Sequence, residues 1–105
     1  MQPSTKLSAY IGFSIKSRHV VYGYDRVTTA RGIRLVIAAD SINRTAHKQL
    51  QAYCTLYTIP LQWCDEQLIE LCTHRRCKCI GLTDESLANA ANQELIRMRR
   101  EESNE

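Results

Sequence analysis

The stretch Ile33-Arg34-Leu35-Val36-Ile37-Ala38-Ala39 decides the fold of this 105-residue chain. All of its residues except Arg34 are apolar, and an almost continuous apolar run of this length is typical of a central strand that is covered on both faces. Gly32 ends the segment before it, and Asp40 follows it. A strand of this kind needs helices on both sides of its sheet.

Shorter elements precede this strand. Ser4 or Thr5 is a suitable N-cap for a first helix, whose apolar residues recur every three or four positions. The β-branched and aromatic run 18–22 predicts a strand that closes at Gly23. Residues 24–30 then predict a brief helix, so that a helix, a strand and a second helix come before the central strand.

Further elements follow the central strand. Asp40-Ser41 is the expected N-cap of a helix with an apolar stripe from Ala46 to Tyr57. The segment 59–63 is short and contains proline, which favours a strand near an edge of the sheet or a proline at the first residue of the strand. The remaining predictions are a helix that begins at Asp65 and turns Leu68, Leu71 and Cys72 inward, a last strand at 77–82, and a final helix that begins at 83–85.

Alternating helices and strands predict an α/β fold, a three-layer α/β/α sandwich with a mixed four-stranded sheet. The length suits a single domain at 1–100, and the polar residues 101–105 are expected to form a frayed tail. No stretch approaches the roughly 20 apolar residues of a membrane span, and the first residues lack the apolar run of a secretory signal. Five cysteines, mostly inside apolar runs, suit free thiols in a reducing compartment, so we expect a cytoplasmic protein.

Positive charge is concentrated at the start of the chain. Residues 1–34 hold six Lys or Arg against one acid, Asp25, and carry +5, whereas the rest holds eight basic and ten acidic residues and carries −2. A local basic excess is the usual electrostatic mark of a protein that binds a polyanion. A polyanion is therefore the candidate partner, and the alternative is a solvated surface that happens to be basic.

Several motifs occur together in a specific order. They are IGFSIK at 11–16, HVVYG at 19–23, RLVIAAD at 34–40, Ser41, Asn43 and Thr45 just after it, and Cys54, Tyr57, Ile59 and Pro60 further on. In order and spacing they resemble the ribosomal L-seven-Ae family and its small bacterial relatives, over roughly Leu7 to Asn92. The resemblance implies the L-thirty-e-like α/β/α fold and binding of structured RNA, typically a kink-turn, often within a ribosomal ribonucleoprotein.

The resemblance also implies where RNA would bind. In that family the turn after the first strand and the start of the next helix hold the RNA, helped by a loop near the end of the third strand, here residues 64–67. On the matching positions the expected RNA-binding residues are Gly23, Tyr24, Asp25, Arg26 and Thr29, extended by Lys16, Arg18 and His19.

The chemistry of these residues suits RNA independently of the resemblance. Gly23 allows close approach of the backbone, and Arg26 can bind a phosphate through two hydrogen bonds. Tyr22 or Tyr24 could provide a surface on which a base stacks. The sequence departs from the family where its best-characterised kink-turn binders have an Asn-Glu pair and a helical lysine, because Tyr24-Asp25-Arg26 stands here.

Other functions have less support. Cys64, Cys72, Cys77 and Cys79 with His74 include zinc-ligand types, but their spacing is unlike that of a structural zinc site, so neither a metal nor another cofactor is expected. No nucleophile elbow, paired-carboxylate site or phosphate-binding glycine loop is present, so we expect no catalysis. The alternative to RNA binding is a protein–protein interaction adaptor on the same fold. We expect a monomer that has no membrane partner.

Overall fold

The protein is built on a four-stranded mixed sheet with helices on both faces. The computed structural model describes residues 2–103, and the predicted fold class, a three-layer α/β/α sandwich, is confirmed. The elements are α1 (Thr5–Lys16), β1 (Val20–Tyr22), α2 (Tyr24–Thr29), β2 (Leu35–Ala39), α3 (Arg44–Tyr57), β3 (Leu61–Cys64), α4 (Glu66–Thr73), β4 (Cys79–Leu82) and α5 (Glu85–Ser103).

The strand order is β1-β4-β2-β3. β4 is antiparallel to both of its neighbours, whereas β2 and β3 are parallel. β2 lies in the interior of the sheet with every residue buried, as its apolar run predicts, and the proline-preceded β3 lies at an edge. The ends of β1, β2 and β3 and the beginning of β4 therefore share one end of the sheet, called here the Gly23 end.

Side chains of the sheet alternate between two apolar cores. Leu35 and Ile37 of β2 face α1, α4 and α5, whereas Val36 and Ala38 face α2 and α3. This alternation follows from the two-residue period of a strand. It explains why β2 has no polar face: both of its faces are covered by helices.

Four helices begin with side-chain caps, and at the start of α5 the Asp84 Oδ2 accepts the Leu87 N–H at 2.8 Å. Ser4 Oγ accepts the Leu7 N–H at 3.1 Å, as predicted for α1, and Asp65 Oδ1 accepts the Leu68 N–H at 2.8 Å at the start of α4. The predicted cap of α3 at Asp40-Ser41 is wrong. Those residues form a turn, and the cap is Asn43, whose Oδ1 accepts a 2.9 Å hydrogen bond from the Ala46 N–H.

Some predicted boundaries and orientations are also wrong. The first strand begins at Val20, because Arg18 has a φ of +62° and its N–H, like that of His19, bonds back to a carbonyl of α1. The last strand begins at Cys79 instead of residue 77. In α4 the side chain of Leu71 is 39% exposed, and Ile69 packs in the core in its place.

The C-terminal helix is longer than predicted. α5 continues through Glu101 and Glu102 to Ser103, and residues 104 and 105 of the expected tail lie outside the described residues. Arg97 pairs with Glu94 at 2.6 Å and with Glu101 one turn later, and such pairs stabilise a helix slightly. Neither α5 nor any other helix within 2–103 is long and apolar enough to cross a bilayer.

Candidate nucleic-acid interface

A glycine turn joins β1 to α2 at the Gly23 end of the sheet. Gly23 has a φ of +87°, a backbone conformation that side-chain-bearing residues rarely adopt. Its N–H donates to the Cys79 carbonyl at 2.9 Å, and its own carbonyl accepts the Val27 N–H at 3.0 Å. The turn is therefore fixed to the start of β4 and holds the first residues of α2 beside it.

The loop between α4 and β4 lies next to this turn. His74 ends α4 in the left-handed conformation at a φ of +58°, and the Lys78 carbonyl accepts the Ala39 N–H at 2.7 Å. A groove of about 460 Å³ runs between the loop and the turn. It is lined by Tyr22, Gly23, Tyr24, Arg26, Ile42, Asn43, Arg75, Arg76, Cys77, Lys78 and Cys79.

The groove is strongly cationic. Arg26, Arg75, Arg76 and Lys78 line it, their side chains are exposed, and none of the lining residues is acidic. Cations gathered in a concave surface raise the local concentration of anionic ligands. This surface, called here the basic groove, is the candidate nucleic-acid interface.

One of the four cations is held by an aromatic ring. The guanidinium carbon of Arg75 lies 4.1 Å from the centroid of the Tyr22 ring, which is a cation–π arrangement. Tyr22 is half-buried and packs against the core that faces α1, α4 and α5. Arg75 is thus positioned by a ring that the core fixes.

The two tyrosines predicted to stack on bases are both half-buried at the wall of the basic groove. Tyr24 packs against the core that faces α2 and α3, on the opposite side of the sheet from the core that holds Tyr22. Both residues line the groove, and the Arg75 guanidinium covers one face of the Tyr22 ring.

Two other residues predicted at this turn do not line the groove. Asp25 is exposed on the first turn of α2, outside the lining residues. Thr29 is one turn further along, and its hydroxyl donates to the carbonyls of Asp25 and Arg26 at 3.0 and 3.2 Å. Their contact with RNA stays a prediction.

Lys16, Arg18 and His19 lie at the other end of β1. The His19 carbonyl accepts the Thr83 N–H at 3.0 Å, beyond the end of β4. The three-residue strand separates them from the Gly23 turn by about 10 Å. All three are exposed and lie outside the residues that line the basic groove, and their contact with RNA stays a prediction.

The loop after the third strand does not line the groove either. Asp65 caps α4, and the adjoining Leu68 and Ile69 are only 2% and 1% exposed. The α4–β4 loop takes its place beside the turn. The sequence of this loop is basic, since 75–78 reads Arg-Arg-Cys-Lys. The net charge of −2 summed over all residues after 34 does not reveal this local cluster.

The cysteines do not form a metal site among the described residues. Within 2–103 no three His, Cys, Asp or Glu residues come together as metal ligands, and all five cysteines are free thiols. Burial raises the pKa of Cys64 and of Cys79 to about 12, and it raises the pKa of Cys72. These thiols therefore stay protonated at neutral pH and behave as small core residues.

Comparison with known proteins identifies the fold alone. No protein-family model and no curated protein matches the chain. A solved structure of a protein with unknown function from Bacillus halodurans C superposes with a TM-score of 0.80 at 19% sequence identity, over 89% of this chain and 99% of that one. The architecture is thus shared with that protein over nearly its whole length.

Proposed function

We propose that the protein binds structured RNA without catalysing a reaction, and that the basic groove is its contact surface. The observation that carries the proposal is the convergence of four cations from two separate segments, Arg26 from α2 and three from the α4–β4 loop, with no acid among the lining residues. Phosphate contacts of this kind supply most of the affinity of proteins for nucleic acids.

The walls of the basic groove favour folded RNA. Guanidinium groups can bind phosphate through paired hydrogen bonds, and Gly23 has no side chain to keep an RNA backbone at a distance. Tyr24, at the wall of the groove, offers a flat surface to a base that a loop or bulge exposes, whereas the Tyr22 ring lies under the Arg75 guanidinium. Because the groove is concave and short, an RNA that bends sharply suits it better than a long straight helix.

Because of the resemblance to the L-seven-Ae family, a kink-turn is the first RNA to test. The proposal places the protein in a ribosomal or other ribonucleoprotein particle in the cytoplasm. In this proposal Arg26 and the α4–β4 loop make the RNA contacts that the Asn-Glu pair and the lysine make in the family's best-characterised kink-turn binders. No cofactor is required, since binding rests on charge, shape and stacking.

The test is binding of the purified chain to a kink-turn RNA and to a sequence variant of it that cannot kink, at two salt concentrations. We expect salt-sensitive binding with a preference for the kinked RNA. Arg26→Glu should weaken binding at least about tenfold, since it places a negative charge among three cations. Arg31→Glu is the matched control, because Arg31 is exposed but lies outside the groove.

Two results would count against the proposal. Equal loss of binding in Arg26→Glu and Arg31→Glu would show that net charge matters and the groove does not. No binding of either RNA at low salt would favour the protein-interaction adaptor, and a defined protein that co-purifies after nuclease treatment would then identify its partner.

A further inference from the structure

A second cavity lies at the other end of α2 from the basic groove. It has a volume of about 400 Å³ and is formed by the end of α2, the turn at 30–33 and the last part of α3. It shares no lining residue with the basic groove, and none of its lining residues is acidic. This volume lies within the range of pockets that bind small molecules. The cavity is called here the Arg31 cavity.

The turn at 30–33 can bind an anion. Arg31 is exposed, and within residues 2–103 its guanidinium forms no ion pair. In the same part of the chain the N–H groups of Arg31 and Gly32 donate to no acceptor. Gly32 has a φ of +77°, and a Cβ atom built on it would have no atom within 4 Å, so a ligand can approach this backbone closely. Successive N–H groups at a left-handed turn, beside a guanidinium, suit a phosphate group.

The wall that α3 contributes is aromatic. Tyr53 and Tyr57 lie one turn apart, with ring centroids 5.2 Å from each other and planes tilted by 56°. Tyr53 is half-buried and packs against the core that faces α2 and α3, whereas Tyr57 is 63% exposed. An exposed ring that lines a cavity offers a surface on which a flat ligand such as a nucleobase stacks.

A strained turn ends α3 directly after Tyr57. Thr58 has φ and ψ of 55° and 47°, the left-handed conformation that β-branched residues rarely adopt. Strain of this kind persists where the surrounding structure holds it. Here the Ile59 N–H donates to the Cys54 carbonyl at 2.9 Å, and Ile59 lines the Arg31 cavity beside Tyr57.

The end of α2 contributes two hydroxyl groups to the cavity. Thr28 Oγ1 donates to the Tyr24 carbonyl at 2.9 Å, and Thr29 Oγ1 donates to the Asp25 carbonyl at 3.0 Å. Because both hydroxyl protons are already used, these oxygens can only accept hydrogen bonds from a ligand. The hydroxyl groups of a sugar can donate such bonds.

We propose that the Arg31 cavity binds a free mononucleotide, with its phosphate at Arg31 and its base on Tyr57. The three parts of this ligand match the three kinds of group that line the cavity: cation and free N–H groups for phosphate, hydroxyl oxygens for sugar, and aromatic rings for base. An inorganic anion would leave the tyrosines uncovered, and an uncharged aromatic ligand would leave Arg31 without a counter-charge. The site is separate from the basic groove and does not rest on RNA binding.

The test is a titration of the full chain with adenosine monophosphate, adenosine and inorganic phosphate, each up to about 5 mM, followed by NMR through the backbone amide signals. We expect adenosine monophosphate to bind at least about tenfold more tightly than adenosine or phosphate, because each of these fills only part of the cavity. The signals of Arg31 and Gly32 should move, and those of Gly23 and Lys78 in the basic groove should not.

Two variants remove the two main contacts. Arg31→Ala should weaken binding of adenosine monophosphate at least about tenfold, because the phosphate loses a charged donor. Tyr57→Leu should weaken it by a similar factor, whereas Tyr57→Phe keeps the ring and should bind as the parent does. Arg100→Ala is the matched control, since Arg100 is exposed on α5, which covers the other face of the sheet.

Circular dichroism checks that the variants fold. Equal affinity for adenosine monophosphate and phosphate, an affinity that Arg31→Ala leaves unchanged, or signal changes confined to the basic groove would overturn the proposal. RNA binding is measured on the same samples, and Arg31→Ala should bind RNA as the parent does. A weaker RNA affinity in Arg31→Ala would show that the cavity holds a nucleotide of the RNA chain instead, and it would also overturn the proposal of a separate site.

Discussion

Gly81 allows α2 to pack closely on the sheet, and its replacement by alanine tests this packing. It lies in the middle of β4 and is buried. A Cβ atom at this position would lie 2.8 Å from Ile33 Cδ1 and 3.2 Å from Val27 Cγ2. Val27 belongs to α2 and follows Arg26, so the contact links the sheet to the basic groove.

The expected cost of Gly81→Ala follows from these distances. Forcing a methyl group into a packed core typically costs about 1–3 kcal/mol. The lower entropy of the unfolded alanine chain offsets about 0.4–1 kcal/mol of this. We therefore expect a decrease of about 1–2 kcal/mol in the free energy of unfolding, measured by urea denaturation. Because Val27 must shift, α2 should move outward and RNA binding should weaken as well.

A double-mutant cycle separates this contact from other effects. Ile33→Val removes the Cδ1 atom at 2.8 Å and should cost about 0.5–1.5 kcal/mol by itself. With the clash partly relieved, the double variant should be more stable than the sum of the two single changes by about 1 kcal/mol. Gly12→Ala in α1 is the control, because no atom lies within 4 Å of its added Cβ, and it should stabilise the protein.

The reasoning would be refuted by strict additivity of Gly81→Ala and Ile33→Val, since two residues in steric conflict must be coupled. A Gly81→Ala protein as stable as the parent would show that the core accepts the methyl group without adjustment.

Three further predictions concern a buried acid, a cation–π pair and a strained turn. Hydrogen bonding from Arg97 lowers the pKa of Glu94 from 4.5 to about 2. The ionised Glu94 therefore stabilises the folded state above pH 4.5, and this contribution is lost as the pH falls towards 2. In acid titrations, Glu94→Gln should lack that part of the loss of stability. Tyr22→Leu should weaken RNA binding a few-fold, because Arg75 loses the ring that positions it. Tyr22→Phe keeps the ring and should bind RNA as the parent does. Fluorescence anisotropy titrations with RNA measure both affinities. Thr58→Gly should raise the free energy of unfolding by up to about 1 kcal/mol in urea, because glycine adopts a positive φ without strain.

The fold could be predicted from the sequence because its signals are local. The apolar run before Asp40 places β2 at the centre, Ser4 and Asp65 mark helix starts, and Pro60 marks the edge strand. The start of β1 could not be predicted in this way. Arg18 follows a helix and precedes β-branched residues, and only the hydrogen bonds back to α1 show that it ends the helix in a left-handed turn.

The candidate site could be predicted only in part, because it is assembled from distant segments. Gly23 and Arg26 lie in a glycine turn after a strand, which the sequence displays directly. The α4–β4 loop joins them because β4, the last strand in the chain, inserts between the first and the second. No pattern within either segment specifies that strand order, so the cations of 75–78 could not be assigned to the site from the sequence.

The most direct test of the basic groove is the salt dependence of RNA binding by the parent and by a variant with Arg26, Arg75, Arg76 and Lys78 replaced by alanine. Each neutralised phosphate contributes a slope of about 0.7–0.9 in log affinity against log salt, so four contacts predict a slope of about −3 for the parent. We expect the variant to lose nearly all of that slope and most of its affinity at low salt. A variant with the slope and affinity of the parent would contradict the account, because the RNA would then be bound elsewhere on the molecule.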